Sequence, residues 1–502
     1  MRVFDPERVP VLIGVGQVND RPADPDDGLD SLGLMVAALR AAERDAGVSV
    51  LAKLDSLAIV DQISFRELGN LCDPLAAAIG ATPAIAYQSP APHGDTPIRL
   101  LNEAANRIGA GEVRLAAVVG GEALRTAAGR AAKRVAGEDK SYNAVRAASL
   151  RREPGYAQRH GLAAPVDVYP IYENAGRAAY RQTLADAQAE SGAIWARMSE
   201  VAAAGEGAWI RKPVSAADVV TPSEANRRIA FPYSKLMVAN SSVNQGAGFI
   251  VANLAEARRL GVPDERMIFV GMGAAAKEAP SILARDRYDR SVSMDVAIRR
   301  TLELNRMSAA DFDFVELYSC FPCVPKMARR TLGWPIDKPA SVFGGLTFGG
   351  GPIGNYMSHA VVAMVEKLRE GGVSGFLFAN GGFATDNHCI VLSNRPIEAA
   401  VFPQDFDYQA EADAARDPVP ALDEDHCGAA TLESYTVFYG RDGAPRGSVA
   451  VCRTPAGART LAHLDVADAA MLAWLTDGAE EPVGTAGRID PRGENERYWM
   501  WS

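Results

Sequence analysis

The sequence has few cysteines, no long apolar run and no excess of basic residues. Its six cysteines are scattered over 502 residues, which argues against a disulfide framework and predicts a reducing, cytoplasmic location. No stretch of about 18 apolar residues occurs, so no membrane span is predicted. The first residues lack the architecture of a signal peptide. The net charge of −10 argues against nucleic acid as a partner.

Alternating strand and helix patterns are what the chain does have. Up to residue 125, strands are predicted at 9–16, 56–60, 84–87 and 115–119, and helices at 32–46, 74–79 and 96–109. The alternation is interrupted by an Arg-, Ala- and Glu-rich stretch and resumes with a strand from 267, a helix at 294–306 and strands at 312–319 and 389–393. Strands separated by helices indicate an α/β protein whose sheet is covered on both faces.

Part of this pattern is repeated within the chain. Residues 94–121 run helix, glycine, apolar strand and Gly-Gly, and residues 355–382 do so again about 260 positions later. Such a constant offset predicts two equivalent halves, with a site where their helix starts and strand ends converge.

The last hundred residues have a different character. Residues 401–430 are acidic and poor in apolar pattern, which predicts a loose linker. Residues 431–502 alternate between apolar and polar positions, with turn signals at Asp442-Gly443 and Ala456-Gly457. A separate, small β-rich domain with one helix near 466–476 is expected.

The predicted helix at 96 begins in a setting suited to anions. Its start reads His93-Gly94-Asp95-Thr96-Pro97, with a capping residue followed by proline. Free backbone N–H groups and a partial positive charge at a helix start stabilise an anion or a developing oxyanion. An ordinary helix cap is the alternative.

The second copy begins with a glycine-rich stretch, 344-GGLTFGGGPIG, ahead of Asn355. Here Gly350 and Gly351 would let the backbone approach a ligand closely, although a flexible turn has the same composition. His359 lies within the helix that follows and is a candidate base or a structural residue.

Two further segments carry candidate chemistry. In 316-ELYSCFPCV, Cys320 is a possible nucleophile, and no second Cys or His pair stands near it and Cys323 at metal spacing, so no metal site is predicted. In 379-ANGGFATDNHC, Asn380 and Gly381 could hydrogen-bond a substrate carbonyl. His388 precedes Cys389 on a strand, so their side chains point to opposite faces.

These blocks together resemble the thiolase superfamily over about residues 8–398. The resemblance implies a five-layer αβαβα sandwich built from two duplicated βαβαβαββ halves. The blocks 318-YSCFP, 344-GGLTF, 355-NY with His359, and 380-NGG are similar to thiolase-like proteins of type 1, which carry an additional C-terminal domain. This resemblance implies five segments. They are 1–125 with 226–262 as the first half, 126–225 as a loop-domain insertion, 263–400 as the second half, 401–430 as the linker and 431–502 as an additional β-rich, OB-like domain.

The departures from the superfamily pattern concern its catalytic groups. Alignment on the resemblance puts the acyl-accepting cysteine at Gly94, the histidine of its Gly-His-Pro motif at Gly351 and the second cysteine near Ala379-Asn380. The asparagine of its fourth motif corresponds to Tyr318. Standard ping-pong Claisen chemistry through these groups is therefore not expected.

The resemblance implies an acyl-CoA acyltransferase without the standard Cys/His/Cys set. Two alternatives stay open: a non-thiolytic protein that binds CoA or acyl-CoA, and a structural subunit that supports an active thiolase-type partner. No covalent cofactor is expected, and prolines after the first-half edge strand favour a monomer or a non-standard dimer. The candidate catalytic residues are Cys320, His359 and His388; the candidate pocket residues are His93, Gly94, Tyr318, Ser319, Gly350, Gly351, Asn355, Asn380 and Gly381.

Overall fold

A computed structural model describes residues 5–134, 155–493 and 496–501. Its main sheet has ten strands in the order β10-β11-β12-β8-β1-β7-β4-β2-β3, with β9 beside β12. The strands are β1 Pro10–Asn19, β2 Ser56–Ile59, β3 Ile85–Gln88, β4 Leu115–Ala123, β7 Asn244–Asn253, β8 Ile268–Val270, β9 Ala274–Lys277, β10 Phe314–Leu317, β11 Ser374–Gly381 and β12 Asp386–Ser393. Strands β1 to β7 of this sheet form the first half, and a short antiparallel pairing of β1 with β8 joins it to the second.

The helices form three layers around the strands. Helices α1 and α2 cover the outer face of the first half, α3 and α12 lie between the halves, and α10 and α11 cover the outer face of the second. This confirms the predicted five-layer arrangement. The bounds are α1 Ser31–Ala46, α2 Cys72–Ile79, α3 Thr96–Ala110, α4 Leu124–Arg134, α5 Tyr156–Arg159, α6 Pro165–Ala179, α7 Leu184–Ala204, α8 Ala216–Val220, α9 Leu254–Leu260, α10 Val292–Asn305, α11 Cys323–Leu332 and α12 Tyr356–Glu370.

The sequence repeat corresponds to the two central helices. Helices α3 and α12 each have 15 residues, and Tyr356 follows Thr96 by 260 positions. Each helix ends at a glycine and is followed by a fully buried strand, β4 after α3 and β11 after α12. Because both helices are covered by sheets from two sides, their apolar positions exceed those of a one-faced amphipathic helix.

The insertion within the first half is helical where it is described. Helices α4 to α8 and the short strands β5 Arg228–Ala230 and β6 Tyr233–Ser234 belong to this region or border it. Part of the predicted insertion, residues 135–154, lies outside the described residues. Helix α6 packs against the C-terminal sheet, where Ser434 donates a hydrogen bond to the Ile171 carbonyl at 2.7 Å.

The C-terminal sheet is antiparallel, in the order β15-β14-β13-β16-β17, and β5, which follows the insertion, adds to β13. Trp499, Tyr435 and Ile489 form part of its own buried core. Its OB-type classification stays a prediction. The elements are α13 Gln409–Ala415, β13 Gly428–Tyr439, β14 Pro445–Arg453, β15 Arg459–Ala462, α14 Ala469–Thr476, β16 Ala486–Pro491 and β17 Arg497–Trp501.

The segment predicted to be a loose linker is docked instead. Ala275 of β9 donates to the Phe406 carbonyl at 2.7 Å, and the Tyr408 amide donates back to Ala275 at 2.9 Å. Helix α13 follows and buries Ala412 against Val296 of α10. The prediction of a loose segment relied on its acidic composition. A few apolar side chains and backbone hydrogen bonds nevertheless suffice to fix a short segment on a neighbouring strand and helix. Among the described residues, no helix is long and apolar enough to span a membrane.

Candidate active site at the start of helix α3

Gly94 stands at the start of helix α3, where any side chain would meet other atoms. A Cβ built on Gly94 would lie 2.2 Å from the carbonyl oxygen of Asn380 and 2.5 Å from the hydroxyl oxygen of Tyr318. Real Cβ atoms do not tolerate such distances, so the place of a side chain at this position is already filled. A cysteine at this position would therefore require Asn380 or Tyr318 to move.

His93, the residue before Gly94, is paired with a carboxylate. Its Nδ1 lies 3.2 Å from Oδ2 of Asp386, and half of the His93 side chain is exposed. Lys277 contacts the other oxygen, Oδ1, at 3.0 Å. The sheet register explains this grouping, because Asp386 at the start of β12 lies opposite Gly381 on β11 and opposite Lys277 on β9.

These charges shift one another's protonation. The hydrogen bond with Asp386 raises the pKa of His93, although burial works in the opposite direction. Burial also acts against the ionised form of Asp386, but its bonds with His93 and Lys277 hold the pKa of this carboxyl below its usual value. The pair therefore resembles an imidazole held and made more basic by an ionised carboxylate.

Asp95 is a further titratable group at the site. It is only 7% exposed, and its carboxyl has no hydrogen-bond or ion-pair partner among the described residues. Burial, and then the charge of Asp386, raise the pKa of Asp95 to about 6. Two carboxyl groups with opposite shifts in one site are a pattern found where acid and base roles are divided.

Three of these residues, His93, Asp95 and Asp386, carry side chains that commonly bind a metal cation. The candidate ligand atoms of His93, Asp95 and Asp386 all lie within 4.8 Å of one another. Lys277, however, already neutralises Asp386, and an ammonium group next to a ligand opposes a second cation. The charge arrangement therefore fits proton transfer better than metal binding.

Tyr318 and Asn380 were predicted pocket residues, and the structure brings both to Gly94. The amide nitrogen of Asn380 donates to Oδ1 of Asn387 at 2.9 Å, and its oxygen accepts from the Tyr169 hydroxyl at 3.3 Å. The ring of Tyr318 packs edge-on against Tyr356 of α12. Gly381 lies beside them, since a Cβ there would be 3.1 Å from Oδ1 of Asp95.

The start of α12 lies next to the start of α3, but tightly packed side chains leave no space at it for a ligand. Asn355 is buried and donates to the Gly120 carbonyl at 2.8 Å, leaving its own side-chain oxygen without a partner. A Cβ on Gly350, whose φ is +107°, would come within 2.1 Å of Gln245 Oε1, and one on Gly351 would lie 3.2 Å from the Asn240 carbonyl. The glycine-rich stretch is therefore a tightly packed loop.

The hydroxyl group of Ser319 belongs to this loop as well. The backbone amide of Leu346 donates to Ser319 Oγ at 3.3 Å, and both residues are buried. Of the predicted pocket residues, His93, Gly94, Tyr318, Asn380 and Gly381 gather at the start of α3. The others, namely Ser319, Gly350, Gly351 and Asn355, line the packed loop at the start of α12.

Cys320, the predicted nucleophile, is buried beside Tyr169. Burial raises the pKa of its thiol to about 12, and the Tyr169 hydroxyl offsets this only in part. A thiol with such a pKa is almost entirely protonated at neutral pH, whereas the thiolate is the nucleophile. This environment weighs against the predicted catalytic role.

The two predicted histidine bases are also buried. His359 bonds Gln17 at 2.8 Å and stacks on Phe343, and burial lowers its pKa to about 3. His388 lies 3.3 Å from Asn102, and burial lowers its pKa to about 3 as well. Among the described residues, neither forms a hydrogen bond or an ion pair with His93.

His93 was a predicted pocket residue, but Asp95, Asp386 and Lys277 were not predicted as its neighbours. Asp386 was visible within 379-ANGGFATDNHC, and an acidic residue shortly after the two glycines at a strand end was the available signal. Its contact with His93 spans almost 300 positions of the chain and depends on the strand register.

The comparisons with known proteins agree with this architecture. The family model described as the additional C-terminal domain of thiolase-like protein type 1 matches residues 409–494. The structure of a monomeric SCP2-thiolase-like protein type 1 from Mycobacterium smegmatis is 29% identical over 99% of this chain and 100% of that chain, with a TM-score of 0.82. No protein with a curated description matches the sequence.

More distant structures share the fold alone. The human mitochondrial 3-ketoacyl-CoA thiolase in complex with CoA is 14% identical, covers 78% of this chain and 98% of its own, and has a TM-score of 0.56. The Ltp2–ChsH2(DUF35) aldolase is 17% identical, covers 78% and 99%, and has a TM-score of 0.58. The fold, the matched C-terminal domain and the full-length similarity make the chain similar, from end to end, to a thiolase-like protein of type 1 with an additional C-terminal domain.

Proposed function

We propose that the chain binds acyl-CoA thioesters at the start of α3 and forms no covalent thioester with them there. The observation that carries this proposal is the filled position at Gly94, where the Asn380 carbonyl and the Tyr318 hydroxyl occupy the space of a nucleophilic side chain. Standard thiolase chemistry is then absent, while the helix start that faces a thioester in the fold is retained.

Unpaired backbone donors support ligand binding at this point. Among the described residues, none accepts a hydrogen bond from the amides of Gly94 and Asp95, although both residues are buried. Buried N–H groups are normally paired, so these two are suited to an oxygen atom of a ligand. Lys277 adds a positive charge at the solvent side, which suits a polyanion such as CoA.

A ligand class is suggested by the human thiolase of the same fold, which was solved with CoA. The ligand of this chain is therefore proposed to be CoA or acyl-CoA, with a place in acyl-chain or lipid metabolism. No covalently bound cofactor is part of the proposal.

Acyl transfer through Cys320 is the competing function. It requires a thiolate at a residue whose burial raises the thiol pKa to about 12. Intact-mass spectrometry after incubation with acetyl-CoA separates the two: an adduct that is absent from Cys320→Ala would favour acyl transfer, and an unchanged mass supports non-covalent binding.

A supporting role for a partner is the third possibility, and an aldolase of the same fold is known together with a DUF35 protein. Calorimetric titration of the purified chain with CoA and acetyl-CoA decides it. Binding with a micromolar dissociation constant and no thiolysis of acetoacetyl-CoA is the expected result. Failure of both ligands to bind would refute the proposed function and favour a structural role.

We also propose a cytoplasmic monomer. Strand β3, at the edge of the sheet, is only four residues long and is followed by Ser89 and Pro90, so it offers little edge for pairing with a second copy. The similar protein from Mycobacterium smegmatis is described as monomeric. Light scattering coupled to gel filtration would test this, and a mass of twice 53.3 kDa would contradict it.

A further inference from the structure

The cluster of His93, Asp386 and Asp95 lies next to Gly94. Binding of a thioester alone does not require a histidine that is oriented by a carboxylate. His93 Nδ1 is 3.2 Å from Asp386, so the hydrogen bond fixes the ring and leaves Nε2 for another partner. Half of the His93 side chain is exposed, so the ring borders solvent. A histidine oriented by a carboxylate in this way is a general base.

The carboxyl group of Asp95 is a second observation, separate from the His93–Asp386 contact, that points to a ligand. A carboxyl group that is more than nine-tenths buried and has no partner among the described residues needs a donor from outside the protein. Its oxygen lies within 4.8 Å of the candidate ligand atoms of His93 and Asp386. A water molecule placed between Asp95 and His93 would donate to both groups at once.

We propose that His93, oriented by Asp386, activates a water molecule held with Asp95, and that this water hydrolyses the thioester of a bound acyl-CoA. The proposal rests on the proposed function, because it needs the thioester carbonyl at the start of α3. It adds an activity, direct hydrolysis without an acyl-enzyme, to a site from which the usual nucleophile is missing.

The step balances without another reagent. The water oxygen bonds to the carbonyl carbon while one of its protons moves to Nε2 of His93. The carbonyl electron pair shifts to the oxygen, where the amides of Gly94 and Asp95 can donate. Collapse of this intermediate breaks the carbon–sulfur bond, and His93 returns the proton to the leaving CoA thiolate. The products are a carboxylic acid and CoA.

Lys277 keeps the cluster in the state that this reaction needs. Its Nζ lies 3.0 Å from Asp386, so Asp386 stays ionised and can hold the imidazole in all protonation states of the cycle. The groups that face His93 are Asp386 on β12, Asp95 at the start of α3 and Lys277 on β9.

The test measures hydrolysis and binding separately in the full-length chain. Release of CoA from acetyl-CoA and octanoyl-CoA is followed by chromatography, and CoA affinity is followed by calorimetry. The variants are His93→Gln, Asp386→Asn and Asp95→Asn, with melting curves to establish that each is folded. The matched control is His426→Gln, which removes another histidine paired with an aspartate, Asp423 at 3.6 Å, outside the site.

We expect His93→Gln to lower kcat at least about 100-fold, the usual scale of general-base catalysis, with CoA affinity changed less than about twofold. Asp386→Asn should lower kcat and move the rising acidic limb of the pH–rate profile to lower pH, because the carboxylate that raises the pKa of His93 is gone. A merely structural role of Asp386 would leave that limb in place. His426→Gln should match the unmodified protein.

Three results would overturn the inference and leave the proposed function standing: CoA binding without any release of CoA above the blank, a His93→Gln variant that hydrolyses at the original rate, or loss of the activity on addition of EDTA, which would assign the water to a metal ion. Absence of CoA binding would instead overturn the proposed function itself.

Discussion

The carbonyl oxygen of Asn380 lies where the side chain of residue 94 would begin, 2.2 Å from an ideal Cβ on Gly94. The two residues come from opposite halves, at the start of α3 and near the end of β11. Restoring a nucleophile at residue 94 therefore requires the halves to move apart.

Gly94→Ala should destabilise the protein by about 1–3 kcal/mol, the usual cost of overpacking a buried site. The new methyl group would press on a backbone carbonyl, which cannot rotate away as a flexible side chain would. Urea unfolding followed by circular dichroism measures the change. Gly176→Ala is the matched control, since its Cβ would meet nothing closer than 3.9 Å; equal stability of both variants would contradict the packing argument.

Cysteine reactivity should follow burial. Iodoacetamide at pH 7.5 is expected to label the exposed Cys427 and to leave Cys320 unmodified in the native protein, because burial raises the pKa of Cys320 to about 12. Peptide mass spectrometry of the native and the urea-unfolded chain measures both sites. Rapid labelling of native Cys320 would show an accessible thiolate and revive the acyl-transfer hypothesis.

Protonation of His359 should lower the free energy of unfolding in mild acid relative to neutral pH. Its folded pKa of about 3 lies below the ordinary value near 6.5, so its contribution is complete above pH 6.5 and is lost as the pH falls towards 3. At pH 5 the loss is about 2 kcal/mol by the same linkage.

Urea unfolding at pH 7 and pH 5 tests this prediction. The stability difference between the two pH values should shrink in His359→Gln, which keeps a polar group near Gln17 but does not titrate. The control variant Gly176→Ala, which leaves His359 in place and whose Cβ would meet nothing closer than 3.9 Å, should retain the full difference. The same pH dependence in all three proteins would assign it to other groups.

The sequence predicted the central elements of the fold better than it predicted the site. Thr96 and Tyr356 could be aligned because helix spacing and glycine ends are local signals. Asp386 could not be paired with His93, because that contact depends on the register of the β11–β12 hairpin, in which Gly381 faces Asp386. A shift of one residue would have turned the carboxylate to the other face of the sheet.

The histidine and cysteine candidates illustrate a second limit. His359, His388 and Cys320 have side chains of catalytic type, but each is buried, and burial depends on contacts from distant segments such as Gln17, Asn102 and Tyr169. Residue type and local pattern do not contain that information. Half-buried His93 looked no different from them in the sequence.

A buried ion pair links the insertion to the second half, and we expect it to contribute to stability. Lys326 of α11 contacts Glu173 of α6 at 2.5 Å and the Ala187 carbonyl of α7 at 2.9 Å, and the Tyr233 hydroxyl donates to the same carboxylate. Both charged side chains are only 5% exposed. Removing one partner leaves the other charge buried without compensation, which costs about 3–5 kcal/mol.

Lys326→Met should therefore lower the free energy of unfolding by that amount. Lys367→Met, which breaks the exposed pair with Glu370, should change it by less than about 1 kcal/mol. Adding Glu173→Gln to Lys326→Met should restore part of the loss, because the uncompensated carboxylate is then gone. If Lys326→Met alone costs no more than Lys367→Met, water must reach the pair, and α6 and α7 would be held to the second half by apolar packing instead.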